Sequence, residues 1–209
     1  MTLHVSGTEK QIIRVLDAAQ QPVPNTVVIL PGVQKVAGQT QQAVIDQVNE
    51  QFSPQLLIVN TGSEVSFPNS DKTRHHVYSF SPAKVFELPL YASSEVERVT
   101  FDTPGLVHLG CNIHDHMSAT LIVSDQQIFA ISDGKGEVHF SGIDISRFTE
   151  ALVWHKQIGQ DKLLTYPLRI ADDSQQDIIE IELAFSYVAE QEKPRKLTLK
   201  EKLEKYKNK

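Results

Sequence analysis

The sequence predicts an all-β protein built from sandwiches or barrels, without alternating strands and helices. Short runs rich in Val, Ile, Leu and Phe recur along the chain. Clusters of Gly, Pro, Asn and Asp separate these runs, as at Pro31-Gly32, Thr61-Gly62 and Pro104-Gly105. With 209 residues, the chain is long enough for one large β domain or two small ones that need no disulfide to stabilise the core.

The apolar runs give the predicted strands in chain order. Each run is as short as a strand in a sandwich, and most are followed within a few residues by a turn-forming residue. The predicted strands are Gln11–Leu16, Thr26–Leu30, Leu56–Val59, Glu64–Phe67, His76–Phe80, Val107–Cys111 and Thr120–Val123.

Charge is distributed unevenly along the chain. The formal net charge is -6, and the segment from Lys193 to Lys209 holds eight Lys or Arg against two Glu, so residues 1–192 carry -12. A body this acidic argues against nucleic-acid binding over most of its surface. No stretch is long and apolar enough to span a bilayer, so we expect no integral membrane segment.

The two ends of the chain differ from the rest. Residues 1–10 lack the basic start and apolar middle of a signal peptide, which leaves a cytosolic protein or an exported one whose signal has been removed. Residues 190–209 are charged, and Leu199 and Leu203 are spaced to share one helical face. A solvated, frayed tail is favoured over a membrane-binding or partner-binding helix.

The segment from Cys111 to Met117 has the residues of a metal site. It places the thiol of Cys111, the imidazole of His114 and the thioether of Met117 at the spacing Cys-x₂-His-x₂-Met. Soft sulfur ligands with imidazole suit copper better than magnesium, calcium or manganese. Two His, one Cys and a long axial Met form the blue-copper arrangement, so a second His has to come from elsewhere.

Two adjacent histidines, His75 and His76, are the candidates for that second ligand. Consecutive side chains of a strand point to opposite faces, so only one of them faces the metal. The alternative for the whole segment is a buried structural thiol at Cys111 with a core Met117, and the ligand spacing argues against it. No nucleophile elbow, phosphate loop or paired-Cys zinc motif is present, and four ligands leave no open position for a substrate, so we expect no enzyme.

These motifs resemble the cupredoxins of the plastocyanin and amicyanin type. In that family a strand ends in Asn and a ligand His follows six residues later, which is the separation of Asn69 and His75. The Cys-x₂-His-x₂-Met loop is most similar to that of amicyanin. The segments at 75–80 and 109–115 are most similar to bacterial periplasmic plastocyanin-like proteins labelled methylamine utilization proteins. The resemblance covers Phe52 to Val123.

The resemblance implies a function and a location. It implies one copper ion per chain, cycling between Cu(I) and Cu(II), one-electron transfer to a redox partner protein, and export to the periplasm. The implied ligands are His75, Cys111, His114 and Met117. His76 and His116 stand where the family has Asn and an aromatic residue, and they are less favoured as ligands. These extra imidazoles favour the alternative function, a module for copper storage, delivery or sensing.

The rest of the chain resembles transthyretin-like carboxypeptidase regulatory domains. Residues 13–30 resemble their first hairpin, residues 129–140 resemble the next hairpin, with an Asp133-Gly134 turn, and residues 151–155 and 178–185 supply later strands. We therefore expect a cupredoxin Greek-key β-sandwich at 33–124, inserted in or fused to a second sandwich at 1–32 and 125–189, and a charged tail at 190–209. The rival interpretation is one extended cupredoxin with a C-terminal appendage.

Overall fold

The structure, a computed structural model, describes residues 11–34, 41–91, 98–159, 161–171 and 178–189. The predictions for residues 1–10 and for the tail at 190–209 lie outside the described residues. In the described ranges the regular structure is β, apart from a 3₁₀ turn at Ile145–Arg147, so the all-β prediction is confirmed. The strands are β1 (Gln11–Leu16), β2 (Val27–Gln34), β3 (Gln42–Val44), β4 (Asp46–Val48), β5 (Gln51–Ser53), β6 (Leu56–Asn60), β7 (Ser63–Ser66), β8 (His75–Ser81), β9 (Lys84–Tyr91), β10 (Arg98–Phe101), β11 (Gly105–Gly110), β12 (Ser118–Ser124), β13 (Gln126–Ile131), β14 (Glu137–Phe140), β15 (Glu150–Trp154), β16 (Leu164–Pro167), β17 (Arg169–Ile170) and β18 (Ile179–Glu182).

The described strands form five sheets. Sheet I has the order β14-β1-β18-β17, and sheet II has the order β13-β2-β15-β16. Sheet III has the order β6-β12-β11-β8-β9, sheet IV the order β10-β7-β3, and sheet V consists of β4 and β5.

The first buried cluster lies between sheet III on one side and sheets IV and V on the other. Val77, Leu109 and Leu121 come from sheet III, and Phe101 and Phe52 come from the facing strands. Along β8 the burial alternates residue by residue, as expected for a strand with one face in a core. Cys111 and Met117 belong to this cluster, so the predicted metal loop is anchored in the core.

Two further clusters give sheet II a buried face on each side. Val28 and Leu30 of β2 pack with sheet I, whereas Val27 and Ile29 pack with Ile58 of sheet III and its neighbours. Both faces of β2 are therefore covered, which explains why its sequence is a continuous apolar run instead of an alternating one. The sheets stack in the order I, II, III, IV.

The strands before residue 34 pair with strands that follow Asp125. Strand β1 pairs with β14 and β18, and β2 pairs with β13 and β15. The chain leaves β2 for the intervening segment and returns from it into β13 at two neighbouring places. The N–H of Gly32 donates to Oε1 of Gln126 at 2.9 Å, which shows that these places are side by side. This pairing is what an inserted arrangement requires, while the boundaries at 33–124 and the transthyretin-like character of the flanking segments stay predictions.

The two expected hairpins are not hairpins. Strand β1 lies in sheet I and β2 in sheet II, and β13 and β14 are likewise divided between sheets II and I. The strands of each pair therefore contribute to opposite walls of one core, with Ile13 on one wall and Val28 on the other. The turn residues signal a reversal of the chain, but they do not specify whether the next strand joins the same sheet.

Asp17 fixes the connection that follows β1. Its Oδ1 accepts hydrogen bonds from the N–H groups of Ala19 and Gln21, both at 2.8 Å, and its Oδ2 accepts one from the N–H of Tyr187 at 2.7 Å. The donors of Gln21 and Tyr187 hold the pKa of Asp17 below its usual value, against the smaller opposing effect of burial. The carboxylate thus ties the β1 connection to the last described segment of the chain.

We expect Asp17→Asn to lower stability at neutral pH, with a difference from the native protein that shrinks in acid. Because the pKa is lower in the folded chain, the ionised carboxylate stabilises the fold above the unfolded pKa of about 3.9, and this contribution is lost as pH falls through the folded pKa. Urea unfolding followed by Trp154 fluorescence from neutral to strongly acidic pH measures it. The exposed Asp102→Asn is the control, and a difference for Asp17→Asn that does not depend on pH would contradict the expectation.

Candidate metal centre

The loop between β11 and β12 is closed by three backbone hydrogen bonds. The N–H of His114 donates to the carbonyl of Cys111 at 3.3 Å, and the N–H of Met117 donates to the carbonyl of His114 at 2.8 Å. The N–H of Cys111 donates to the carbonyl of Met117 at 3.3 Å, which joins the two ends of the loop. The spacing Cys-x₂-His-x₂-Met therefore forms a compact loop, in which the thiol of Cys111 and the imidazole of His114 turn toward each other.

His75, the first residue of β8, completes a three-atom cluster with this loop. Its Nδ1 lies 3.1 Å from Nδ1 of His114 and 3.9 Å from Sγ of Cys111. The remaining edge, from Sγ of Cys111 to Nδ1 of His114, is 3.7 Å. The structure thus brings together three of the four predicted ligands, although they are up to 39 residues apart in the chain.

The dimensions of the cluster fit a single metal ion. Metal–nitrogen bonds of about 2.0 Å and metal–sulfur bonds of about 2.3 Å are usual for ions bound by His and Cys. For each pair of donor atoms, the distance between the two atoms is shorter than the sum of their two metal–donor bond lengths. One ion can therefore contact Cys111, His75 and His114 at once. One thiol and two imidazoles are a donor set suited to copper or zinc.

Met117 is placed beside the cluster but is not a member of it. Its side chain is 1 % exposed and packs in the first core cluster. The group whose donor atoms converge consists of His75, Cys111 and His114. Axial ligation by the thioether of Met117 stays a prediction.

The two less favoured histidines lie outside the cluster. His76 follows His75 on the strand and has the opposite orientation, with Nε2 at 2.8 Å from Oε1 of Glu87 and a buried Nδ1 that has no hydrogen-bond partner. His116 is exposed, and its Nε2 lies 3.6 Å from Oε2 of Glu50. Neither ring belongs to the group whose ligand atoms converge.

Asp71 is a residue of the site that the sequence reasoning missed. Its Oδ1 accepts a hydrogen bond from the N–H of Asn49 at 2.7 Å, and its Oδ2 accepts one from the N–H of Glu50 at 2.8 Å. Nε2 of His75 also lies 2.8 Å from Oδ2. Burial raises the pKa of Asp71, but the N–H of Glu50, the ring of His75 and the N–H of Asn49 together hold it below the usual value.

A groove of about 510 Å³ opens beside the cluster on the outer face of sheet III. It reaches Cys111 and Met117, and Tyr78 and His108 line it. The ring of Tyr78 lies against Gly110, because a Cβ built on that glycine would be 2.7 Å from the Tyr78 ring and from its hydroxyl oxygen. A side chain at residue 110 would therefore require the ring of Tyr78 to move.

Comparison with known proteins gives matches among solved structures only. No family model matches the chain, and no curated protein matches it. A copper-containing nitrite reductase from Thermus scotoductus SA-01 is 21% identical over 54% of this chain, with a TM-score of 0.40. The match spans 28% of the reductase.

Two smaller proteins match along nearly their whole length. A purple cupredoxin from Nitrosopumilus maritimus is 22% identical, with a TM-score of 0.36, over 39% of this chain and 99% of its own. A Cu(I) structure of an amicyanin variant is 17% identical, with a TM-score of 0.37, over 46% of this chain and 98% of its own. The resemblance to cupredoxins noted in the sequence is thus found again among solved structures, whereas the label methylamine utilization protein is not.

We expect Gly110→Ala to destabilise the protein by about 1–3 kcal/mol, because the added methyl group displaces the ring of Tyr78. Urea unfolding measures the loss, and the same substitution in a Tyr78→Leu background should cost less. Gly134→Ala is the matched control, since a Cβ there meets nothing within 4 Å. Equal costs for Gly110→Ala in the two backgrounds would show that the Tyr78 contact is not the cause.

Proposed function

We propose that this protein is a copper-binding cupredoxin that transfers single electrons to a partner protein. The proposed ligands are His75, Cys111 and His114, with Met117 as a weak axial ligand and one ion per chain. The observation that carries the proposal is the convergence of one Sγ and two Nδ1 atoms, no two of them more than 3.9 Å apart, at the end of a β-sandwich.

The surroundings of the cluster suit electron transfer. A bound copper ion would supply a one-electron couple between Cu(II) and Cu(I). The chain holds the donors in place, because His75 and Cys111 are 0 % and 3 % exposed and the loop is closed by its own backbone hydrogen bonds. Donors fixed in this way need little rearrangement when the charge of the ion changes.

His114 is the proposed point of electron exit. It is the only partly exposed member of the three-residue cluster, and the exposed apolar side chain of Ile113 lies next to it in the loop. A partner that docks over this loop would come close to the imidazole of His114 without entering the core. No enzymatic reaction is proposed, because the four proposed ligands, Met117 included, would leave no open position for a substrate.

The proposal extends to the organisation and location of the protein. Residues 33–124 are proposed to be a cupredoxin domain inserted into a transthyretin-like sandwich at 1–32 and 125–189, in support of which β1 and β2 pair with strands beyond Asp125. An exported, periplasmic location is proposed from the cupredoxin resemblance. Among the described residues, no helix has the length and apolar character needed to cross a membrane.

Titration of the metal-free protein with Cu(II) tests the copper site. We expect one equivalent to bind and to give an intense visible charge-transfer band from the thiolate, and we expect Cys111→Ser to abolish that band. His139→Gln changes an exposed histidine that belongs to a second group of possible ligands, formed with Asp133 and Glu137. This second group has no thiol, so the variant should leave the band intact. Absence of the band in the native protein, or its survival in Cys111→Ser, would refute the site. Zinc found in a purified sample would not, since zinc accepts the same ligands.

A second function, copper storage, delivery or sensing, is favoured by an extra imidazole near the cluster. The ring centroid of the exposed His116 lies 6.0 Å from that of His114. An imidazole at this distance suits a site that passes the ion on, whereas His76 faces the other side of its strand.

Voltammetry and chelator competition separate the two functions. For an electron carrier we expect a reversible Cu(II)/Cu(I) wave, fast self-exchange and retention of copper in the presence of a mild chelator, because the donors are buried and fixed. An irreversible wave with rapid loss of copper to the chelator would favour the handling module. His116→Phe is the informative variant. If this variant retains copper better than the native protein in the presence of the chelator, the imidazole of His116 is responsible for the release of copper.

A further inference from the structure

The orientation of the His75 ring depends on one carboxylate. His75 is fully buried, and the structure gives its Nε2 one partner, Oδ2 of Asp71 at 2.8 Å. A carboxylate is an acceptor, so this contact places the ring hydrogen of neutral His75 on Nε2. Nδ1 then presents a lone pair toward Cys111 and His114, as metal binding requires.

Asp71 is itself held by a strained turn from another part of the chain. Asn49 and Glu50 form the two-residue turn between β4 and β5, with φ of 55° and 57°. This left-handed backbone is unfavourable for a residue such as Glu, and glycine is usual at the second position of such turns. Both N–H groups of the turn donate to the carboxylate of Asp71, one to each oxygen.

We propose that Asp71 is a positioning residue for the metal centre. Its carboxylate, anchored by the Asn49–Glu50 turn, fixes the tautomer and the ring orientation of His75 and thereby sets how tightly the cluster binds its ion. This inference rests on the proposed function for the identity of the ion, but its structural part concerns the metal-free protein as well.

A neighbouring aspartate provides a matched control. Asp46 accepts hydrogen bonds from the N–H of Gln47 at 2.7 Å and from the hydroxyl of Ser70 at 2.7 Å, and so ties together the same two segments of chain. The structure gives Asp46 no bond to His75, Cys111 or His114. Loss of Asp46 therefore reports the cost of disturbing this region without touching a ligand.

The first measurement is the tautomer of His75 in the metal-free protein, read from the ¹⁵N shifts of its ring. We expect the Nε2–H form in the native protein and in Asp46→Asn, and a gain of the Nδ1–H form in Asp71→Ala. Asp71→Leu serves if the alanine variant does not fold, because it keeps the approximate size of the side chain and has no oxygen to accept a hydrogen bond from Nε2 of His75. An unchanged tautomer in the folded Asp71 variant would overturn the proposal.

The second measurement is the affinity for Cu(II), with the visible and EPR spectra and the reduction potential of the loaded protein. Removing a hydrogen-bond partner of a ligand typically costs about 10- to 100-fold in metal affinity, and we expect a loss in that range for the Asp71 variant with a changed spectrum and potential. Asp46→Asn should remain within about twofold of the native affinity. Native affinity, spectrum and potential in the Asp71 variant would also overturn the proposal.

The two measurements distinguish failure of this inference from failure of the proposed function. If the native protein gives no copper band, the proposed function fails, and the tautomer of His75 still decides the role of Asp71. If the native protein binds copper and the Asp71 variant matches it in all readouts, the positioning role fails and the proposed function stands.

Discussion

The candidate metal centre depends on the pairing of β8 with β11 in sheet III. Gly110 lies opposite Tyr78 in this pair, and the register brings the start of β8 to the end of β11, where the loop of Cys111 begins. A slip of one residue would turn His75 outward and His76 inward, because successive side chains of a strand face opposite sides. The contact between the Tyr78 ring and Gly110 lies at the paired position itself, so this contact also opposes a slip.

The outer face of sheet III is divided into two halves with different surroundings. Toward β6 and β12 it packs on sheet II through the third cluster, with Ile58 and Ile122 opposite Val27 and Ile29. Toward β8 and β11 it is open and forms the groove lined by Tyr78 and other residues. Sheet II therefore supports the sandwich that carries the candidate centre without covering the metal loop, and His114 stays accessible from outside.

The parts of the site that are close in sequence could be predicted, whereas the parts that depend on long-range contacts could not. Cys111, His114 and Met117 share one loop, so their spacing alone indicated a metal, and the separation of Asn69 and His75 pointed to the remaining ligand. Asp71 precedes His75 by four residues, and an acidic residue near a ligand histidine is a signal that could have been followed. The hydrogen bonds to Asp71 from Asn49 and Glu50 could not be predicted from the sequence, because they come from backbone N–H groups, which nearly every residue type has. The two expected hairpins failed for a related reason, since turn residues do not encode which sheet the next strand joins.

The arrangement of β2 has a consequence for synthesis of the chain on the ribosome. Gly32 and Gln126 are hydrogen-bonded neighbours that lie 94 residues apart, and every described strand that pairs with β1 or β2 follows that interval. At about 5–20 residues per second, ribosomes need about 5 to 20 s to make this stretch. During that time the apolar run from Val27 to Leu30 has no partner strand, although both its faces end up fully buried. The nascent chain thus exposes a segment suited to chaperone capture. The exposure lasts longer than in a sandwich whose paired strands follow one another directly in the sequence.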